Sequence, residues 1–380
     1  LFDARDSMVG TLENPTLDLN PALPETLDVI TATRAGTATF TDANGNIATA
    51  PANTVRVDYV DGVPMILVEP SATNLVTYSE DFGNSLYTKR NSTVTSGFSS
   101  PDGENNAFKL TATANEGDVY FVLGGGGGTT KAVSVFAKAA SATSELIIQE
   151  LGYTGRSTKF NLNSGAITFS NSAGTSTIEN FGNGWFKCTH IETYSSGQNT
   201  LAYAYRSTTV DSLYLFGAQV ETGSVSTSYI PTLSGSTVTR AADDLAITGS
   251  DFTNFYNTTD GTFYLEAIDN DTTSGTHSFL RGQTEHRDFL FKYNGTSIHS
   301  FDGSTGVSQS GIAANQLFRA AVSYKSGART LSLNGTSPAD VSLNTNWTTA
   351  DRLRIGNGNQ VVANMHVRRV IFWPYHKDNL

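Results

Sequence analysis

Binding a sugar in water takes aromatic faces for the CH-rich side of the ring and amide or carboxylate groups for its hydroxyls. One such set can be read in the middle of the chain. Leu201, Tyr203 and Tyr205 fall on one face of a strand, because side chains in a strand repeat every second residue. If that face is concave, the two tyrosines make a platform with Gln149, Tyr153 and Tyr120 alongside. The leucine heading the row suits a core face equally well. A second, less specific set lies near the C-terminus: Arg281, His286, Arg287 and Trp347, with His277 and His299 nearby in sequence.

Hydrolysis of a glycan asks for two carboxylates converging on one cleft. Glu145 and Glu150 are five residues apart and so face opposite sides of a strand. Glu80-Asp81 and Asp243-Asp244 are adjacent pairs at element ends, where carboxylates are expected to be solvated or to cap turns. His277, His286 and His299 have no spacing that metal ligation requires and read as a polar rim. The five glycines 124–128 are not followed by a helix carrying Lys and Ser or Thr, so they read as a loop rather than a phosphate cradle. A single cysteine, Cys188, excludes an intramolecular disulfide and, inside an alternating strand, reads as a small buried hydrophobe.

The elements that must hold these residues are strands. No window carries apolar residues at i, i+3, i+4 and i+7 over three turns, whereas period-two segments recur every 10–15 residues between Gly, Asn and Ser. The fold class is therefore all-β. At 380 residues the chain has room for two or three cores. A net charge of −11 repels phosphate backbones and anionic lipid, so nucleic acid and membrane surfaces are not expected as partners. No stretch of 18 apolar residues and no signal peptide is seen.

Residues 15–24 carry Pro15, Pro21 and Pro24, which favour an extended path lying along another surface. Two hairpins follow, one turning at Asn44-Gly45 and one around Asp61-Gly62. Around Pro70 the pattern reads strand, corner, strand. The domain reading is a connecting module over 1–73, a jelly-roll β-sandwich over 74–232, a polar linker over 233–244 and a second sandwich over 245–380.

Three motifs in fixed order carry a resemblance: TATRAGTATFTDANGNIATAPANTVRVDY, then LVEPSATNLVTYSEDF, then GAQVETGSVSTSYIPT with TRAAD after it. From about Thr33 to Asp244 the chain resembles a family of bacteriophage and prophage virion proteins, whose members are structural or tail-associated. The 74–232 sandwich is also similar to carbohydrate-binding modules of the jelly-roll kind, with Asn74–Phe82 closing beside Leu213–Glu221. The last sandwich resembles laminin-G and concanavalin-like lectin folds, on the residues 324–335, 353–356 and 370–375. The resemblance implies a possible Ca²⁺ held by Glu80 or Asp81 with Glu221. It implies a virion surface protein, a tail-fibre-like appendage attaching to host-surface glycan. A capsid decoration or head fibre is the alternative within that class, and a polysaccharide-degrading enzyme the alternative outside it. Residues 1–66 are expected to dock on other virion proteins and to be removable without unfolding either sandwich, and the proline-rich start, Pro15 to Pro24, to order only against a partner chain. By analogy with attachment fibres the assembly is taken as a homotrimer.

Overall fold

The computed structural model describes residues 14–123, 128–150, 157–170, 174–194, 199–204, 211–271, 275–282, 288–303, 305–336, 338–342, 349–358 and 361–377. The architecture is all-β, with one five-residue α-helix, α1 (Gly249–Thr253), among the described residues.

The N-terminal part supplies β1 (Leu17–Leu19), β2 (Thr31–Thr33), β3 (Ala38–Thr41), β4 (Ile47–Ala50), β5 (Arg56–Val60), β6 (Val63–Val68) and β7 (Ala72–Asn74). The middle of the chain runs through β8 (Thr88–Arg90), β9 (Ser92–Phe98), β10 (Ala107–Ala112), β11 (Asp118–Leu123), β12 (Thr130–Ala139) and β13 (Glu145–Glu150). It continues with β14 (Ser157–Asn161), β15 (Ala166–Ser170), β16 (Thr175–Gly182), β17 (Trp185–Thr193), β18 (Asn199–Ala204) and β19 (Ser212–Thr222). These twelve strands form two antiparallel sheets, in orders β16-β17-β12-β19-β10-β9 and β15-β14-β13-β18-β11-β8. Their inner faces share a core that includes Phe82, Leu110, Phe121, Val135, Ile148, Phe160 and Leu215. The stretch after Pro70 lies beside the last strand, as the resemblance implied. Leu75 N donates to Val220 O at 2.8 Å and Ala218 N to Ser79 O at 2.9 Å.

Strand β12 is buried on both faces from Lys131 to Ala137, and five of those seven residues are apolar. Val133 and Val135 face the second sheet. On the opposite face Phe136 packs with Trp185, Phe216 and Tyr229, and Ile47 of the β3–β4 hairpin rests against that group. The close approach of Tyr229 requires a glycine beneath it. Gly217 has φ +64° at a bulge, and a Cβ there would lie 3.1 Å from both Phe136 and Tyr229.

The C-terminal part adds β20 (Val238–Arg240), β21 (Asp244–Thr248), β22 (Gly261–Asp269), β23 (His277–Arg281), β24 (Asp288–Tyr293) and β25 (Ser297–Phe301). It ends with β26 (Gly306–Ser310), β27 (Leu317–Lys325), β28 (Ala328–Leu333), β29 (Ala339–Ser342), β30 (Arg352–Ile355) and β31 (Met365–Trp373). One sheet runs β29-β28-β27-β22-β31-β6-β5, with β1 also on β31; the other runs β2-β21-β30-β23-β24-β25-β26. The N-terminal strands are thus members of the C-terminal sandwich. Leu17 pairs with Phe372 and Ile66 with Val367. Leu17, Leu19, Ile66 and Val68 are buried in the same core as Phe263, Val322 and Phe372. The expectation that Pro15 to Pro24 orders only on a partner chain is corrected here, since Leu17–Leu19 within it pairs with β31. The extended, proline-marked path does lie along another surface, and that surface is the edge of the chain's own last strand. The polar stretch after Ile230 is also held: β20 pairs with β7, while Ile230, Thr232 and Arg240 are buried.

The three motifs meet in one buried ionic cluster where the sandwiches join. Arg34 Nη1 lies 2.8 Å from Asp243 Oδ1, Arg56 bonds both Asp243 and Glu69, and Arg240 Nη2 lies 3.5 Å from Glu69 Oε2. Ser228 donates to Glu69 through its N–H and its hydroxyl, each at 2.6 Å. Asp243 is therefore neither solvated nor a turn cap, as its position at an element end suggested; two guanidinium groups enclose it.

Candidate functional site

Strands β23, β24 and β25 are consecutive antiparallel neighbours, so one outward face carries residues close in sequence. The pairing sets two cross-strand rows: Arg281, Asp288 and Phe301 in one, Ser278, Phe291 and His299 in the other. Register shifts on both sides of β24 mark bulges, which bend strands and re-aim side chains. Together with Tyr293 and Val361 these residues line a groove of about 430 Å³. The core-facing neighbours Phe289 and Leu290 are fully buried.

The aromatic side of the groove is a three-ring platform. The Phe291 and His299 centroids are 5.3 Å apart, and Tyr293 stands edge-on to His299 at 5.0 Å. Tyr293 is 45 % exposed, which leaves ring face for a ligand. The polar side is built on Asp288, which accepts from the Ser278 hydroxyl and lies 3.8 Å from Arg281 Nη1. Burial pushes the His299 pKa below its ordinary value, so the imidazole is neutral at neutral pH, with one donor and one acceptor. At one end His277 Nε2 lies 3.2 Å from Asp269, and Lys292 Nζ lies 2.8 Å from the same carboxylate. Burial would raise the Asp269 pKa, but hydrogen bonding and charge from His277 and Lys292 outweigh it and hold it low.

Of the C-terminal set read from sequence, Arg281, His277 and His299 reach this groove, while His286, Arg287 and Trp347 lie outside the described residues. The middle-sandwich set does not share one face. Tyr203 stands in register with Val119 and Ile148, both buried in the core. Tyr120 and Gln149 are in register with Ala202, on the other face. Tyr153 and Tyr205 lie outside the described residues. Glu145 and Glu150 do divide between faces: Glu145 meets Thr168 at 2.8 Å, and Glu150 is buried.

The carboxylates considered for calcium are engaged in local hydrogen bonds. Glu221 accepts from Thr227 N, Thr227 Oγ1 and Gln219 Nε2, and Glu80 from Tyr229 and Asn106. Asp81 accepts from Gly83 N and closes a turn. Burial raises the pKa of both Glu80 and Glu221. Among the described residues no group of three His, Cys, Asp or Glu side chains converges as metal ligands would.

Sequence reasoning missed Ser278, Asp288, Phe291, Tyr293 and Phe301. The available signal was the outward alternation Phe291, Tyr293 beside His299, Phe301; the bulges break the period that links it to Asp288.

No family model matches the chain, and no curated protein matches it. Solved structures that resemble parts of it include the Ruminococcus gnavus IT-sialidase CBM40 bound to alpha2,3 sialyllactose. That likeness has 11% identity and a TM-score of 0.28, over 32% of this chain and 80% of that one. Caenorhabditis elegans galectin LEC-6 has 14% identity and a TM-score of 0.25, over 34% of this chain and 90% of that one. The CBM22-1-CBM22-2 tandem domain from Paenibacillus barcinonensis Xyn10C has 10% identity and a TM-score of 0.27, over 80% of this chain and 99% of that one. At these scores the likenesses carry no argument about function, and the site is read from its own geometry.

Proposed function

We propose that the protein is a glycan-binding protein, and that the groove on β23, β24 and β25 is its sugar site. One observation carries the reading: Phe291, His299 and Tyr293 offer stacking surface directly beside the Ser278–Asp288–Arg281 set of hydroxyl-binding groups. Apolar walls with a few convergent polar groups are the general form of a small-ligand site. Among the described groove-lining residues a single carboxylate, Asp288, stands, which favours binding over two-carboxylate hydrolysis. On the resemblance of its three motifs we place the protein on a phage particle, as a tail-fibre-like appendage holding host-surface polysaccharide, and by analogy with attachment fibres we take it as a homotrimer. The test is retention on immobilised host polysaccharide, with Phe291→Ala and Tyr293→Ala as variants. Loss of an exposed stacked ring should weaken binding about tenfold, on the order of 1.4 kcal/mol. Unchanged retention in both variants overturns the site. Antibody labelling of purified particles tests the location, and absence of label overturns it.

A further inference from the structure

We infer that the groove takes an uncharged glycan, a neutral hexose chain without carboxylate or sulfate groups; this rests on the glycan-binding reading above. The argument is one of charge. A polyanionic sugar entering a partly desolvated groove needs a cation whose charge is not already matched. Each described Lys and Arg side chain at or beneath this groove, and the His277 imidazole, stands against a carboxylate. Arg281 is 3.8 Å from Asp288, Lys292 is 2.8 Å from Asp269, and His277 lies between Asp269 and Asp271 at 3.2 and 3.6 Å. Behind the sheet, Arg329 Nη2 lies 3.0 Å from Asp302. The connection between β23 and β24, residues 283–287, carries one glutamate and one arginine, so its formal charge also sums to zero with its histidine neutral. The other described imidazole of the groove, His299, is neutral at neutral pH. Around the groove the whole chain is acidic, with 35 Asp and Glu against 24 Lys and Arg, which opposes the approach of a polyanion further.

What the groove does offer suits hydroxyls. Asp288 accepts, Arg281 donates, Ser278 sets the orientation of the carboxylate, and His299 both donates and accepts. Paired vicinal hydroxyls of a hexose match the Asp288–Arg281 couple, and the CH face of the ring matches Phe291 and Tyr293.

Isothermal titration of the whole chain tests this with dextran, mannan and galactan as neutral probes, and polygalacturonate and polysialic acid as anionic ones. A neutral polymer should bind with an affinity that changes less than about twofold between 50 and 500 mM NaCl, since no ion pair is there to be screened. Asp288→Asn should weaken that binding about tenfold, and Phe291→Ala, which leaves the charges untouched, should do the same. Binding of an anionic polymer alone, falling with salt, overturns the inference and leaves the glycan reading standing. Failure of every polymer to bind overturns both.

Discussion

At the scale of single residues, neighbours on β24 illustrate how one strand serves two purposes. Phe289 is fully buried in the core, whereas Phe291, two residues on and beyond a bulge, is half-buried on the groove face. Phe289→Ala should cost about 3–5 kcal/mol of stability, the scale for a buried ring. Phe291→Ala should change stability by roughly 1 kcal/mol or less while weakening sugar binding. Urea unfolding of the two variants separates these outcomes, and equal destabilisation would show Phe291 to be a core residue. Lone side chains were hard to assign from sequence for the same reason: Tyr203 has an ideal alternation partner, yet its register puts it beside Val119 and Ile148. Strand periodicity says which residues share a face and never which face is wet.

At the scale of elements, the decisive feature is the ionic cluster formed by the corner after β6, the turn before β21, and the N-terminal hairpins. Removing one member of a buried ion set leaves an uncompensated charge, which is strongly destabilising. Asp243→Ala, which removes the carboxylate facing Arg34 and one of the two facing Arg56, should cost about 3–5 kcal/mol by chemical denaturation. Glu69 provides the pH dependence. Burial would push its pKa up, but the charges of Arg240 and Arg56 and the bonds from Ser228 hold it well below its ordinary value of 4.5. The unfolded chain therefore binds the Glu69 proton more readily. Its contribution is fully present above about pH 4.5 and is lost progressively as the pH falls below that. Stability measured from about pH 6 down to about pH 3 should fall more steeply in the native protein than in Glu69→Gln, which lacks the titrating group. Parallel curves would remove Glu69 from this role.

At the scale of the whole molecule, the start of the chain and its last strand are one structure. Deleting residues 1–66 takes Leu17, Leu19 and Ile66 out of the core and bares the edge of β31. The truncated protein is expected to aggregate or melt at least several degrees lower, contrary to the independence that the proline-rich composition suggested. Calorimetry decides this; an unchanged transition for the C-terminal sandwich would refute it. Likewise Arg240 is 3 % exposed and held in the cluster, so trypsin should spare the native chain at this bond. First cleavage after Arg240 would show that the sandwiches are joined flexibly.

Strand, turn and class were legible because they depend on local chemistry: a period of two, Asn-Gly at hairpin tips, and prolines that exclude central strands. The sequence by itself determined that the protein is all-β, that Cys188 points inward, and that Glu145 and Glu150 lie on opposite faces of their strand. It also marked the three motifs without saying why they travel together. Tertiary structure decided the rest, because it depends on pairings between distant residues. Arg34 and Asp243 are 209 positions apart and Asp18 and Arg369 are 351 apart, yet each pair is in contact. The groove likewise came into view only once β24 was bulged against both neighbours. That displacement of register puts Asp288 and Phe291 on one face, where simple alternation would have separated them.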